Sequence, residues 1–214
     1  GEPRLHFLGF SYGAHLGAVY ARLYPDRVGR FVLDGAVDTS LDWEQRARQR
    51  AAGLHRALLE SLARCRSRGQ CPIGDTPEEA IGRITGLLAR LDATPLPVWG
   101  GWLLTEELAL HAMERLLYND RRWPQLWGYL AKALDGDGNP LLNTALASAG
   151  YQHELQDYDN RVAAGRVIGC ADQSARVTFA QVRALEIELA RTSPVFGRSV
   201  AWEAARCAGL PVAA

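Results

Sequence analysis

Ser11 lies in Gly9-Phe10-Ser11-Tyr12-Gly13, a G-x-S-x-G pattern whose chemistry is nucleophilic attack by a serine hydroxyl. Such a serine works when the chain turns so sharply at it that Oγ stands clear of the backbone. Backbone N–H groups must also lie beside it to hold an oxyanion. The flanking residues predict that turn. Leu5-His6-Phe7-Leu8 reads as a short buried strand, and Ala14 to Tyr24 as a helix stopped by Pro25. Arg30-Phe31-Val32-Leu33 reads as a second strand, ending in Asp34-Gly35. Strand, turn, helix, strand is a βαβ unit and implies a parallel sheet. Gly9 and Gly13 are expected to leave room for close backbone packing. Gly13, Ala14, Gly17 and Ala18 keep one helix face small, so that the helix can lie close to the strands. The helix N-terminus directs N–H groups toward Ser11, with the Tyr12 N–H as the expected oxyanion donor. The competing reading is an ordinary βαβ crossover with an incidental serine.

The other groups able to do chemistry are less well placed. Asp34 ends the second strand and reads as structural. His6 alternates within a strand, His15 lies on the buried helix, and His55 and His111 fall on helical stretches. His153 is in a loop, a poor platform for a rigid base. None reads as a convincing partner for Ser11. Asp135-Gly136-Asp137-Gly138-Asn139 alternates like the start of a calcium loop. Its sixth position is Pro140 and its twelfth Leu146, so it reads as a polar turn, and no metal site is expected. Cys65, Cys71, Cys170 and Cys207 fit no zinc spacing, which leaves free buried thiols or two disulfides. No cofactor motif is present.

The elements that must position these groups fall into two parts. Residues 1–38 form the α/β piece. After Thr39-Ser40 strand signals give way to successive helices: Leu41 to Arg64, a helix opened by Thr76-Pro77-Glu78-Glu79, one from Thr105 to about Tyr118, and one from Trp123-Pro124 to about Leu134. Thr76 and Glu79 are expected to form a capping box. Residues 150–165 read as irregular and acidic, Val167 to Cys170 as a short apolar run, Phe179 to Arg191 as a helix, and Val200 to Ala205 as a last short helix. Residues 39–207 thus read as a mostly helical cap over an active site, with 208–214 starting a return to the core. The balance of 24 basic against 24 acidic residues argues against nucleic acid or anionic membranes as partners. Lys132 is the only lysine, and no apolar run approaches a membrane span.

Several stretches together resemble the secreted tripeptidyl aminopeptidase group of α/β-hydrolases, relatives of prolyl aminopeptidase. They are Gly9 to Gly13 followed by Leu23-Tyr24-Pro25-Asp26-Arg27-Val28, then Val32 to Asp38, Cys71-Pro72-Ile73-Gly74, Val167-Ile168-Gly169-Cys170-Ala171-Asp172, Ser193 to Gly197, Ala201-Trp202, and Cys207 to Pro211. The resemblance implies a partial α/β-hydrolase core followed by a helical cap. It implies a serine exopeptidase that releases short peptides or residues from free N-termini through an acyl-enzyme on Ser11. No cofactor is implied. The substrate's ammonium calls for carboxylates in the cap, with Glu154, Asp157 and Asp159 as candidates. It further implies the disulfides Cys65–Cys71 and Cys170–Cys207, and so export.

Family members carry an oxyanion loop before the elbow and a triad Asp and His after the cap. Neither is present in these 214 residues, which read as a central part with core segments expected on either side. The chain alone is expected to be inactive. An esterase or lipase of the same fold, or a non-catalytic truncated hydrolase acting as a binding module, are the alternatives.

Overall fold

A computed structural model describes residues 2–173 and 176–210. The chain divides into two compact units, meeting between Arg46 and Ala47. In the first, β1 (Leu5–Phe10) and β2 (Val28–Asp34) pair in parallel, joined by α1 (Tyr12–Leu23) and a 3-10 turn opened by Pro25. Phe7 lies opposite Phe31, Gly9 opposite Leu33, and Phe10 opposite Asp34. The βαβ unit is therefore as expected. Side chains alternate across the sheet, so one face carries Phe7, Phe31 and Leu33. The Phe7 and Phe31 ring centroids are 5.5 Å apart, and Tyr20 of α1 closes on Phe31 at 5.9 Å. The other face shows Leu8, Phe10 and Val32, each about 60% exposed (60%, 62% and 59%).

The second unit begins within α2 (Trp43–Ser67) and continues through α3 (Pro77–Ala93), α4 (Glu106–Leu117), α5 (Trp123–Leu134), α6 (Asn139–Ser148), α7 (Arg161–Ala171), α8 (Phe179–Thr192) and α9 (Gly197–Glu203). Helix starts follow side-chain chemistry. Thr105 accepts from Leu108 N, and Thr178 with Gln181 forms a reciprocal capping box. Thr76 accepts from Glu79 N, but the Glu79 carboxylate reaches Asp75 N at 2.9 Å, one residue beyond a closed box. On α3, Ala80, Ile84, Leu87, Leu88 and Leu91 recur at helical spacing and are buried. Met113, Leu116, Leu126 and Leu130 continue the core from α4 and α5. Trp127 satisfies its buried indole N–H on Ser61 Oγ at 2.8 Å.

Three features depart from the sequence reading. Two antiparallel pairs of two-residue strands occur among the helices: β3 (Leu96–Pro97) with β4 (Leu103–Leu104), and β5 (Tyr151–Gln152) with β6 (Asp157–Tyr158). Strands this short show no alternation that a sequence could reveal. The supposedly irregular 150–165 stretch therefore holds a hairpin and the start of α7. Val167 to Cys170, read as a separate apolar run, is the end of that helix. Val167 and Ile168 are exposed and only Cys170 is buried there.

Asp135 to Gly138 is a turn, as expected. Asp137 Oδ1 accepts from Asn139 N and Nδ2, so that carboxylate starts α6. Among the described residues no group of His, Cys, Asp and Glu is arranged to hold a metal. Nor is any helix among them long and apolar enough to cross a membrane. The expected return at 208–214 lies partly outside the described residues, which stop at Leu210.

Cys65 bonds Cys71 and Cys170 bonds Cys207, each with Cα atoms 5.4 Å apart. The first closes the polar loop after α2. The second ties the end of α7 to the 3-10 turn Ala204–Cys207 that follows α9. Loop closure makes the longer bridge the more stabilising. Cys170→Ser with Cys207→Ser is expected to lower unfolding free energy by about 4 kcal/mol, and Cys65→Ser with Cys71→Ser by about 2 kcal/mol, in denaturant titrations.

Glu114 on α4 is buried, with its Oε2 2.7 Å from Arg50 Nη2 on α2. Burial pushes its carboxyl above the ordinary range, and Arg50 only partly opposes this. The folded protein thus holds this proton more tightly than the unfolded chain does. The group's contribution is complete below its ordinary value of 4.5 and is lost as pH rises through the raised folded value. Glu114→Gln keeps a partner for Arg50 without titrating. Its stability relative to wild type should therefore rise with pH across that window in urea unfolding at stepped pH.

Candidate active site

Ser11 has φ 51° and ψ −113°, a conformation that side-chain-bearing residues rarely adopt. Such a residue costs on the order of 1–3 kcal/mol and persists only where its surroundings over-determine it. Here they do. Ser11 N–H donates to the Asp34 carbonyl at 2.9 Å, anchoring the turn to the end of β2. The Ser11 carbonyl accepts from His15 N at 3.2 Å, which starts α1. Ser11 thus occupies the N-cap position, yet its hydroxyl makes no capping hydrogen bond. A serine there ordinarily uses its Oγ on the first helical turn. At this φ the hydroxyl is left for other chemistry, on an exposed residue. Tyr12 is the first residue of the helix.

The glycines divide the work unevenly. A Cβ on Gly9 would lie 2.5 Å from the Gly13 backbone carbon and oxygen, so Gly9 permits the close approach of strand and helix. A Cβ on Gly13 would meet nothing within 4 Å, so the packing role expected for Gly13 is not seen. Gly17 is also tight, where a Cβ would lie 2.5 Å from Leu33 Cδ2 and 2.9 Å from Phe7, as is Gly29, where it would lie 2.6 Å from the His6 ring.

The remaining candidates are mostly committed elsewhere. Asp34 supports Ser11 through its carbonyl, a role any residue can fill. His6 Nδ1 accepts from Arg30 N at 2.9 Å, beside the irregularity in register between Leu5 and Phe7. His15 stacks on Tyr12 with centroids 5.9 Å apart. In the helical unit, His111 Nε2 meets Ser148 Oγ at 2.7 Å, and burial lowers its pKa. His55 Nδ1 is buried without a hydrogen-bond partner.

His153 packs edge-on against Tyr151 at 4.9 Å and near Trp99 at 5.7 Å. Of the three acidic residues, Asp159 accepts from Arg161 N and Nε at 3.0 and 2.7 Å, and these bonds hold its carboxyl below the usual range. Asp157 Oδ1 accepts from Tyr158 N at 2.7 Å. Glu154 is exposed in the hairpin turn. What the sequence reading missed is the ring cluster behind these acids, in which Trp102 and Tyr158 also pack on Tyr151, at 5.4 and 5.0 Å. Rings at irregular loop spacings give no periodic signal.

A strained serine held between a parallel strand and a helix N-terminus is the geometry of a nucleophile elbow. Residues 1–99 match the family described by the alpha/beta hydrolase fold. These residues have the α/β-hydrolase fold. Relatives of the chain include "Serine protease Hip1" of Mycobacterium tuberculosis, 30% identical over 181 residues, or 81% of this chain and 34% of that protein. "Tripeptidyl aminopeptidase" of Streptomyces lividans is 28% identical over 217 residues, 99% of this chain and 39% of its own length. "Putative hydrolase YuaR" of Escherichia coli is 27% identical over 179 residues, 81% and 34% respectively. The chain therefore spans between a third and two fifths of the length of these relatives.

The glycine geometry can be tested directly. Gly9→Ala is expected to destabilise the βαβ unit and expose its apolar residues. Gly13→Ala should be tolerated, and its helix propensity favours it by up to about 1 kcal/mol. Thermal melts with a dye for exposed apolar surface should separate the two variants.

Proposed function

We propose that Ser11 is the nucleophile of a serine peptidase that acts on peptides with a free N-terminus. The observation that carries this is the positive φ of Ser11 with its hydroxyl unspent on the helix. Ser11 Oγ attacks the scissile carbonyl, an imidazole takes its proton and passes it to the scissile nitrogen, and the C–N bond breaks so that the amine leaves as an acyl-enzyme forms. Water then attacks the acyl carbon and releases the free acid. The Tyr12 N–H serves as one oxyanion donor. The proton acceptor comes from outside the 214 residues. In support, His6 and His15, the histidines of the elbow unit, are engaged with Arg30 N and the Tyr12 ring.

In this reading the helical unit is a cap. The carboxylates of the β5–β6 hairpin read the substrate's ammonium, through Glu154 and Asp157 more than through Asp159, which Arg161 occupies. Two disulfides favour an oxidising compartment, and so secretion. The names of two relatives, serine protease and tripeptidyl aminopeptidase, point to peptides over simple esters.

The test uses the full-length protein. A fluorophosphonate probe should label Ser11, with the label mapped by peptide mass spectrometry and lost in Ser11→Ala. A peptide amide with a free N-terminus should be cleaved, and its N-acetyl form cleaved at least about tenfold less well. Glu154→Gln with Asp157→Asn should raise KM for the free peptide and leave kcat nearly unchanged. Equal cleavage of the acetylated peptide, or preference for an aryl ester, would favour the esterase reading. Absence of labelling would leave only a binding module.

A further inference from the structure

Among the described residues, every stack of a guanidinium on an aromatic ring lies at one end of the helical unit. Arg64 covers Trp123 at 4.9 Å, Arg68 covers Trp127 at 5.8 Å, and Arg115 covers Tyr118 at 5.3 Å. The three are physically continuous. Arg64 lies in the last turn of α2 and Arg68 just past its end, while Trp123 and Trp127 are one turn apart on α5. The Trp123 indole N–H donates to the Leu117 carbonyl at 3.2 Å, which joins this row to the end of α4 beside Tyr118. Arg64 Nη1 also holds Asp120 at 2.8 Å, in the 3-10 turn Asp120–Arg122 between α4 and α5.

Charge accumulates here although the whole chain is neutral. Arg66 and Arg68 extend beyond Arg64, and Arg121 and Arg122 beside Asp120. Asp120 is already engaged by Arg64, a bond that holds its carboxyl below the usual range. Glu60, one turn back on α2, stands beside Arg56 as well as Arg64. Arg66, Arg68, Arg115, Arg121 and Tyr118 are all exposed, Tyr118 at 65%.

We propose that this end is a docking surface for an acidic polypeptide segment. A guanidinium held over a ring is partly immobilised, which leaves its fork of N–H donors pre-organised. That fork matches a carboxylate in two bonds at a small entropic cost. The Asp120 contact shows one of these arginines already binding a carboxylate, through a single bond from Nη1, while it lies over Trp123. Trp123 and Trp127 are themselves buried, so the exposed ring is Tyr118, and Tyr with Arg is enriched at protein–protein interfaces. A surface built only to attract polyanions needs charge and no ordered rings. The proposal uses no residue of the Ser11 chemistry and holds whether or not that chemistry is as proposed.

The probe is a fluorescein-labelled peptide of alternating glutamate and leucine, followed by anisotropy with the full-length protein at low salt. Binding is expected for wild type and equally for Ser11→Ala. Arg66→Glu with Arg121→Glu should weaken it at least about tenfold, and Tyr118→Ala should weaken it several-fold, because both charge and ring contribute. Circular dichroism melts check that these exposed-residue variants stay folded. The proposal is overturned if the peptide does not bind, or if the charge reversals leave affinity unchanged. It is also overturned if Tyr118→Ala binds fully while inorganic polyphosphate, duplex DNA or phosphatidylglycerol vesicles displace the peptide. That outcome describes a generic polyanion surface.

Discussion

The hydrogen bond from Ser11 N–H to the Asp34 carbonyl is the constraint on which the elbow depends. Without it the chain after β1 would enter α1 through an ordinary cap, with Ser11 extended and its hydroxyl turned onto the helix. With it, Ser11 is pulled toward the end of β2 at φ 51°, and the hydroxyl is released. The bond requires β2 to end level with the turn. The pairing of Phe10 with Asp34 sets that register. Register in turn rests on the ring contacts of Phe7, Phe31 and Tyr20, on the face that α1 covers. The strained conformation of the serine thus rests on packing two turns of helix away from it.

The sequence carried this part well because each step has a local signature. A strand of apolar residues, paired glycines around a serine, a helix ended by Pro25 and a second strand can each be read singly. Their order admits few topologies. It misled at Gly13, because the motif lists two glycines as equals. Only the backbone path shows that Gly9 faces the Gly13 carbonyl while Gly13 faces open space. Helix starts at Thr76, Thr105 and Thr178 were similarly legible or nearly so, since a cap is a contact across three residues.

What was not legible is what distance in sequence hides. β3 with β4 and β5 with β6 contribute two residues per strand, and their partners fix them more than any propensity does. The ring cluster around Tyr151 joins residues from both hairpins, so no single window contains it. Val167 and Ile168 resembled a strand because β-branched residues favour strands. They lie in α7, where the helix is tied at its end by Cys170 to Cys207, and by Arg176, whose guanidinium donates to the carbonyls of Cys170, Gln173 and Leu210. A covalent bridge and a side-chain clamp here outweigh local propensity, which spans only about 1 kcal/mol.

The two units differ in how they hold their shape, and that difference bears on the serine. The helical unit has a continuous apolar core and two disulfides. The elbow unit has two strands and one helix, with Leu8, Phe10 and Val32 on the sheet face opposite α1. A pair of strands is marginal by itself and gains stability when a face is covered. Strain at Ser11 of order 1–3 kcal/mol is a large fraction of what so small a unit can supply. Covering Leu8, Phe10 and Val32 would bury apolar surface directly behind the turn, because Phe10 precedes Ser11. Each side chain fully buried there is worth about 1.5–3 kcal/mol, comparable to the strain itself. The strain at Ser11 and the exposure of that face are thus comparable in size within one small unit.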